Sequence, residues 1–202
     1  MRVLVACEES QRVCIAFRKR GHEAYSCDLQ ECSGGHPEWH IKADALETIN
    51  SQHWDLLIAH PPCTWFSNAG ARWLFKNGKI INKKRYQDLL KAREFFLAIL
   101  DSPVEKICVE NPVSMGIANL PPHTQTIQPY YFGSPYTKKT RLWLKNLPPL
   151  LPTKIVEPKQ CWVQSSANRS WKEGGRYKVA NTAKERSKTF PGIANAMAEQ
   201  WG

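Results

Sequence analysis

The first half of the chain alternates between short apolar runs and longer segments in which apolar and polar residues recur with a helical period. Each short run has the length of a strand, and most are apolar throughout, as is typical of strands buried on both faces. The predicted strands are Arg2–Ala6, Glu23–Cys27, Trp39–Ile41, Trp54–Ala59 and Val104–Val109. Polar or reactive residues follow these runs directly, which places such residues at the strand ends.

Helices are predicted between the strands and at the end of the chain. Ser10 can cap a helix that runs to about Arg20 and is ended by Gly21. Asn82 to Leu100 has apolar residues at three- and four-residue spacing and is the clearest helix of the sequence. Gly192 to Trp201 predicts a closing helix.

The last third predicts an antiparallel element. Thr126–Phe132 and Thr140–Leu144 can pair, joined by a turn at Gly133–Pro135. Leu147–Pro158 contains four prolines and should be irregular. The alternation of strands and helices before it predicts an α/β fold with a mostly parallel sheet. In such sheets ligands bind beyond the carboxyl ends of the strands.

The composition fits a folded domain with a basic surface. The chain has 202 residues, of which 42% are hydrophobic, and a formal net charge of +10. Residues 64–85 contain six Lys or Arg and no acid, and residues 154–188 contain nine against three acids, with Trp162, Trp171 and Tyr177 between them. A single basic run is usually a solvated surface. Two such runs favour nucleic acid as the partner.

The sequence favours a cytoplasmic protein. No run of about 18 apolar residues is present, so no membrane span is expected. The N-terminal residues reach an acid at Glu8, which does not suit a secretory signal. The seven cysteines are scattered and odd in number, and we therefore expect reduced thiols.

Two segments that follow predicted strands carry reactive groups. Cys63 comes after Pro61 and Pro62, and the prolines should hold its thiol on a rigid turn, where a thiolate could attack an electron-poor carbon. A lone cysteine is more often a small buried hydrophobe. Glu110 and Asn111 follow another strand. A protonated Glu110 could bond a ring nitrogen of a base, or it could cap a turn.

Two later segments add to this set. In Thr137–Arg141, strand alternation places Lys139 and Arg141 on one face, which could also be an ordinary solvated face. Phe190–Ala196 is a short, unusual loop that leads into the closing helix.

Taken in order, these four segments resemble the motifs of the DNA (cytosine-5) methyltransferases. Pro61-Pro62-Cys63-x-x-Phe66-Ser67 is similar to the nucleophile motif of that family, and Glu110-Asn111 to its Glu-Asn-Val motif, with Pro112 for valine. Thr137-x-Lys139-x-Arg141 is similar to Gln-x-Arg-x-Arg, and Ile193–Ala196 to Ile-Gly-Asn-Ala. The order of the motifs matches over residues 1–202, so the whole chain is expected to be one catalytic domain.

The resemblance implies a role for each of the catalytic residues. Cys63 would attack carbon 6 of a cytosine, and Glu110 would contact the ring N3 and the amino group. Arg141, with Lys139, would orient the nucleophile and the base. Carbon 5 would then take a methyl group from S-adenosylmethionine, and loss of its proton would release the enzyme. The target base would have to leave the stack of double-stranded DNA.

The resemblance also implies binding residues and a fold. Asp28 would bind the ribose hydroxyls of the cofactor and Asp44 its adenine amino group, with Asn195 near the methionine part and Cys7, Glu8 and Pro61 around it. DNA would be bound by Ser67, Asn111, Arg72, Lys83, Lys84 and Arg85. The implied fold is a Rossmann-like, doubly wound sheet of the class I methyltransferase type with an antiparallel strand. We expect a monomer without a metal, in a bacterial cell or a phage-infected host.

The sequence departs from the family at two places. The Gly-rich first motif is replaced by Ala6–Ser10, which contains no glycine, and this leaves room for a modified adenosylmethionine as donor. The target-recognition region is reduced to residues 146–184. Base readout requires an element that fills a groove, so we expect low or very short sequence specificity.

Three alternatives remain open at this stage. The same chemistry could act on a free cytosine nucleotide or on RNA. The protein could be a non-catalytic, DNA-binding relative that has lost its cofactor. Alternatively, Cys27, Cys32, His36 and His40 could bind zinc, although their spacing is not a standard finger pattern.

Overall fold

The structure is a computed structural model of the chain, and it describes residues 1–162 and 182–202. The strands of the described residues are β1 (Arg2–Ala6), β2 (Glu23–Asp28), β3 (His40–Lys42), β4 (Leu56–Ala59), β5 (Phe75–Lys76), β6 (Lys79–Ile80), β7 (Lys106–Pro112), β8 (Gln125–Ile127), β9 (Tyr136–Thr137), β10 (Thr140–Lys145) and β11 (Gln160–Cys161). The helices are α1 (Arg12–Lys19), α2 (Ala45–Ser51), α3 (Ala71–Leu74), α4 (Lys83–Leu100), α5 (Ala183–Ser187) and α6 (Pro191–Gln200).

Seven of the strands form one sheet in the order β3-β2-β1-β4-β7-β10-β8. The first five are parallel, and β10 runs antiparallel to both β7 and β8. The strand order reverses between β1 and β4, which is the switch point of a doubly wound sheet. The predicted α/β fold, with a mostly parallel sheet and an antiparallel strand, is therefore confirmed.

The two faces of the sheet bury alternate residues against different helices. Val3 and Val5 of β1 belong to the core formed with α1 and α6, whereas Leu4 and Ala6 belong to the core formed with α2 and α4. Strand side chains alternate between faces, so a strand covered on both sides must be apolar throughout. This is why β1 and β4 are recognisable as continuous apolar runs.

Helix α1 begins differently from the prediction. The helix starts at Arg12, and Ser10 does not cap it. Instead the carboxylate of Glu8 accepts hydrogen bonds from the amides of Val13 (2.7 Å) and Cys14 (3.2 Å). An acidic group next to the unpaired amides of a helix start is favourable, and Glu8 is held there by the turn after β1.

Gln11 connects this turn to the neighbouring strand and loop. Its side chain is fully buried. The amide nitrogen donates to the Ser26 hydroxyl (3.2 Å) and the His36 carbonyl (2.7 Å), and its oxygen accepts from the His36 amide (3.1 Å). The backbone of Gln11 has a φ of 57°, in the left-handed region that residues other than glycine rarely occupy. The buried hydrogen bonds hold it in that conformation.

The predicted hairpin near residue 133 is partly wrong. Strand β10 does pair antiparallel with β8, but β8 ends at Ile127. The aromatic residues that follow form a 3-10 turn, Pro129–Tyr131, because proline fixes φ and has no amide to donate to a ladder. Gly192 of α6 packs against this connection, where a β-carbon would overlap the carbonyl oxygen of Phe132.

Both basic segments are partly described. Between Phe66 and α4 the chain forms a 3-10 turn (Asn68–Gly70), helix α3 and the hairpin β5–β6. The hairpin turns at Asn77 and Gly78, which both have positive φ, as a two-residue type I′ turn requires. Of the predicted target-recognition region, residues 163–181 lie outside the described residues. None of the described helices has the length and apolar character needed to cross a membrane.

We expect Gln11→Ala to lower the free energy of unfolding by about 2–4 kcal/mol, because it removes three buried hydrogen bonds and leaves their partners unsatisfied. Urea unfolding followed by circular dichroism measures the loss. Gln52→Ala, at an exposed glutamine after α2, is the control and should change stability by less than about 0.5 kcal/mol. Equal effects of the two substitutions would contradict the role of Gln11.

Candidate active site

The register of the central parallel strands brings three residues together where β1 and β4 end beside β7. Ala6 of β1 pairs with Ala59 of β4, and Ala59 pairs with Val109 of β7. The next residues, Cys7, His60 and Glu110, therefore follow one another across the edge of the sheet. The amide of His60 donates to the carbonyl of Ala6 (3.0 Å), which keeps this register past the end of β4.

His60 and Glu110 form a buried pair at this edge. The ring Nδ1 of His60 lies 3.0 Å from Oε2 of Glu110, and their side chains are 8% and 14% exposed. Nε2 of His60 is buried and has no hydrogen-bond partner among the described residues. The ring is therefore held by the carboxylate alone.

The environment favours the ionised form of each partner. Burial lowers the pKa of His60, but the hydrogen bond and charge of Glu110, with the charge of Glu8, raise that pKa above its ordinary value. Burial raises the pKa of Glu110, but the hydrogen bond from His60 and the charges of Lys138 and His60 bring that pKa below its ordinary value. The expected protonated Glu110 is thus not the form that the free protein favours.

Cys63 lies on a tight turn next to this pair. Its carbonyl accepts from the amides of Phe66 (3.1 Å) and Ser67 (3.0 Å), which closes the turn behind the two prolines. The side-chain amide of the buried Asn111 donates to the carbonyl of Pro61 (2.9 Å) and fastens the turn to β7. The thiol is half-buried. Cys63 lies on a turn directly after the two prolines, as the sequence predicts.

The thiol of Cys63 is protonated in the resting site. Burial raises its pKa, and the negative charge of Glu110 raises it further, while the charges of Lys138 and Arg186 lower it in part. A nucleophile in this state becomes reactive when a positive group approaches or when Glu110 is neutralised.

The cation that acts most directly on this site is Lys138, whereas the sequence motif indicates Lys139. The charge of Lys138 acts on Glu110, His60 and Cys63, and its Nζ donates to the carbonyl of Arg186 (2.9 Å). Lys139 is exposed and precedes β10, so the prediction that it shares a strand face with Arg141 is wrong.

Arg141 lies on β10, on the opposite side of the sheet from Glu110. Across the β7–β10 ladder Arg141 is paired with Asn111, and Leu142 is paired with Glu110. Successive residues of a strand face opposite sides, so Arg141 and Asn111 share one face and Glu110 lies on the other. The predicted roles of Arg141 and Lys139 in orienting the base stay predictions.

The space beside Glu110 is nearly closed. A cavity of about 10 Å³ lies there, which is about what one water molecule needs. Its walls are Glu110, Lys138, Thr140, Thr189, Phe190, Ile193 and Met197. The segment before α6 is held over it by Arg12, which donates to the Thr189 carbonyl (2.8 Å), and by Lys138. A pyrimidine ring can reach Glu110 only after this cover moves.

Three of the predicted cofactor residues lie at the carboxyl ends of β1 to β3. Asp28 and Asp44 each use one carboxylate oxygen locally, to accept from Gln30 and to cap α2, and the second oxygen of each has no partner among the described residues. Burial and the nearby charges of Asp28, Cys27 and Asp44 raise the pKa of Cys7 to about 12. Two carboxylates with available oxygens fit the hydroxyls of a ribose and the amino group of an adenine.

The other predicted cofactor residues have different surroundings. Both carboxylate oxygens of the buried Glu8 are occupied by helix α1. Pro61 is buried, and its carbonyl is taken by Asn111. Asn195 is exposed on α6. The residues present therefore fit the adenosine half of adenosylmethionine, and the parts played by Glu8, Pro61 and Asn195 stay predictions.

Most of the predicted DNA-binding residues lie in the segment that follows the Cys63 turn along the chain. Arg72 and Lys83 are exposed, and Lys84 pairs with Asp88 one helical turn away (3.3 Å). Arg85 donates to the carbonyl of Thr64 (3.1 Å) and lies 4.9 Å from the centre of the Trp65 ring. Arg85 therefore supports the turn of the nucleophile. Ser67 forms a bridge with Ser114.

The alternative zinc site does not assemble. No group of three or more His, Cys, Asp or Glu side chains within residues 1–162 and 182–202 could hold a metal ion. The Cys27 thiol is buried and donates to Thr48 Oγ1 (3.2 Å), and the His40 ring bonds Ser26 (2.8 Å) and the Gln30 carbonyl (2.9 Å).

Two residues of the site were missed by sequence reasoning. His60 directly precedes the two prolines and follows β4, so its position at a strand end was the available signal. The sequence does not show whether Lys138 or Lys139 acts on the site, because that depends on where β10 begins. In the structure its first residue is Thr140.

The chain matches no family model and no curated protein. Among solved structures it is similar to a candidate DNA modification methyltransferase encoded within a prophage of E. coli, with 14% sequence identity and a TM-score of 0.49. The match covers 77% of this chain and 51% of that one. The chain thus spans about half the length of that protein.

We expect Glu110→Gln to shift the alkylation of Cys63 by iodoacetamide to lower pH, because removal of the carboxylate charge lowers the pKa of the thiol. Mass spectrometry of the alkylated peptide against pH measures the midpoint. Cys32 is the internal standard, because it follows β2, which lies three strands away from β7 in the sheet. The pH midpoint of its alkylation should be the same in both proteins. An unchanged or higher midpoint for Cys63 would contradict the proximity of the two groups.

Proposed function

We propose that this protein transfers a methyl group from S-adenosylmethionine to carbon 5 of cytosine in DNA, through a covalent bond to Cys63. The observation that carries the proposal is the meeting of Cys63 and Glu110 at the carboxyl edge of β4 and β7. A nucleophilic sulfur and a carboxyl group that can bond a ring nitrogen are the two groups that addition to a pyrimidine requires. The motif resemblance supports the same function.

The chain's own residues prepare the base and the nucleophile. Glu110 binds the N3 side of the ring, and Asn111 holds the turn that presents the Cys63 sulfur. Lys138 supplies the positive charge that favours the thiolate once the ring excludes water. When bound, adenosylmethionine supplies an electrophilic methyl group.

The cofactor would lie across the ends of β1, β2 and β3. The unpartnered carboxylate oxygens of Asp28 and Asp44 would accept hydrogen bonds from its ribose hydroxyls and its amino group. Ligands of doubly wound sheets bind at the switch point, and the one between β1 and β4 lies next to Cys7 and His60. The residues that would hold the cofactor and the Cys63 turn therefore lie at the same edge of the sheet.

Positively charged side chains would bind the phosphates of DNA, with little recognition of the base sequence. Lys76, Lys79 and Lys83 are exposed on and after the β5–β6 hairpin, in the segment that follows the Cys63 turn along the chain. Phosphate contacts of this kind give affinity with little sequence preference. The target base would leave the stack and displace the cover formed by Thr189 and Phe190.

A covalent trap tests the proposal. The protein, adenosylmethionine and a duplex in which 5-fluorocytosine replaces cytosine are incubated and run on a denaturing gel. We expect a protein–DNA band that Cys63→Ala abolishes and Cys32→Ala retains, because fluorine blocks the final loss of the carbon-5 proton. Unmodified duplex should gain 5-methylcytosine in base analysis.

Other outcomes are equally informative. DNA binding without a band would contradict the proposal and favour a non-catalytic DNA-binding protein. A band on single-stranded RNA or methylation of free cytidine nucleotides, with none on duplex DNA, would keep the chemistry and overturn the substrate.

Substitution of Lys79 and Lys83 by glutamine tests the DNA surface. We expect binding to weaken alike on all sequences, and the slope of log K against log salt to fall by about 0.9 for each phosphate that the variant no longer neutralises. Fluorescence anisotropy at several salt concentrations measures this. The matched control, Lys19→Gln with Arg20→Gln, removes two exposed cations at the far end of α1 and should leave the slope unchanged.

A further inference from the structure

The buried His60–Glu110 pair has a feature that the proposed methyl transfer does not by itself explain. Desolvating two charges is costly, and an apolar pair of similar volume often serves stability as well or better. This pair also lies at the ends of β4 and β7, beside the nucleophile turn, where a polar group can act on a bound ring. A functional reason for the histidine is therefore needed.

Burial lowers the pKa of His60, but the groups around the ring raise that pKa above its ordinary value and so favour a proton on it. Glu110 on β7 and Glu8 in the turn after β1 attract the proton, and Lys138 from the loop before β10 opposes it. Lys138 also acts on Glu110, Glu110 acts on the thiols of Cys63 and Cys108, and Arg186 acts on Cys63. Nε2 of His60 has no partner among the described residues, so one of the two N–H groups of an imidazolium is left unsatisfied.

We propose that His60 is a positioning residue that holds the Glu110 carboxylate in the resting site and supplies the proton that Glu110 passes to N3 of the target ring. The proposal rests on the proposed function. Its geometric basis is the 3.0 Å contact between Nδ1 of His60 and Oε2 of Glu110, since the second oxygen of Glu110 remains available to the base. In the resting pair the proton is stored one hydrogen bond away from the ring.

The step is balanced in electrons, protons and charge. The thiolate pair of Cys63 forms the bond from sulfur to carbon 6, the C5=C6 pair becomes the C4=C5 pair, and the C4=N3 pair becomes a lone pair on N3. N3 takes a proton from Glu110, and Glu110 takes one from Nδ1 of His60. The resting Cys63 thiol first gives its proton to water. The site then begins the addition with a thiolate, an imidazolium and a carboxylate, and it ends with a thioether, a neutral imidazole and a carboxylate.

The proton returns to the pair in the second half of the reaction. After carbon 5 has gained its methyl group, a base removes the carbon-5 proton, the C5=C6 bond forms again, and the sulfur leaves as thiolate. N3 then gives its proton back through Glu110 to His60. The pair is thereby regenerated at the end of the turnover, and the Cys63 thiolate takes a proton back from water.

The test compares His60→Asn with the unmodified protein. The asparagine amide can still donate to Glu110 from the position of Nδ1, but it carries no transferable proton. Single-turnover rates of adduct formation on the 5-fluorocytosine duplex are measured from pH 5 to 9. We expect the variant to be slower by about 10²-fold at alkaline pH. The ratio of the two rates should approach one as the pH falls, because Glu110 then takes its proton from water.

The ratio separates proton supply from structure. Because Glu110 acts on the pKa of Cys63, the ionisation of Cys63 is measured in each protein by its alkylation against pH, and the adduct rates are compared per ionised thiol. A ratio that stays constant at every pH, whether near one or far above it, would overturn the proposal. His53→Asn is the matched control, since His53 makes an exposed 3.1 Å contact with Asp55, and it should not change the rate.

A second measurement needs no variant at this site. Nitrogen NMR of the free, histidine-labelled protein at pH 7 should show His60 with both ring nitrogens protonated, and a neutral His60 would overturn the proposal because no proton would be stored. If the unmodified protein forms no adduct at any pH, the proposed function fails and this inference fails with it. If the adduct forms and only the pH-dependent ratio is absent, the inference alone fails.

Discussion

A parallel sheet that is buried on both faces can place polar groups only beyond the last buried residue of each strand. In this protein β1 and β4 are apolar to their last residue and β7 is apolar from Ile107 to Val109, and the pairing brings Ala6, Ala59 and Val109 to one level. Cys7, His60 and Glu110 are thereby adjacent, although they are far apart in sequence. The Cys63 turn, the cover before α6 and the carboxylates of β2 and β3 are all arranged around this edge.

Much of the fold could be predicted because burial on both faces leaves a direct trace in the sequence. Continuous apolar runs located β1 and β4, and the helical period located α4. The start of α1 could not be predicted, because Glu8 caps it from across a turn in which Gln11 takes a left-handed conformation. The extent of β8 was overestimated because aromatic residues favour strands, whereas Pro129 ends this one.

The candidate site was predictable in its parts and less so in its electrostatics. Cys63 and Glu110 stand out because each follows a buried strand. Their ionisation depends on neighbours from other elements, chiefly His60 and Lys138, and these contacts become visible only when the strands are assembled. A sequence pattern identifies a reactive group, but it does not show which charges face that group.

The half-buried thiol of Cys63, with its raised pKa, has a consequence for the durability of the protein. Oxidation of cysteine by peroxide proceeds through the thiolate, and a sulfinic acid at this position would be irreversible damage. Burial and the charge of Glu110 keep the resting sulfur protonated, so the same groups that delay its ionisation protect it from oxidants. Under the proposed function, this resting form would preserve the sulfur of Cys63 until a substrate is bound.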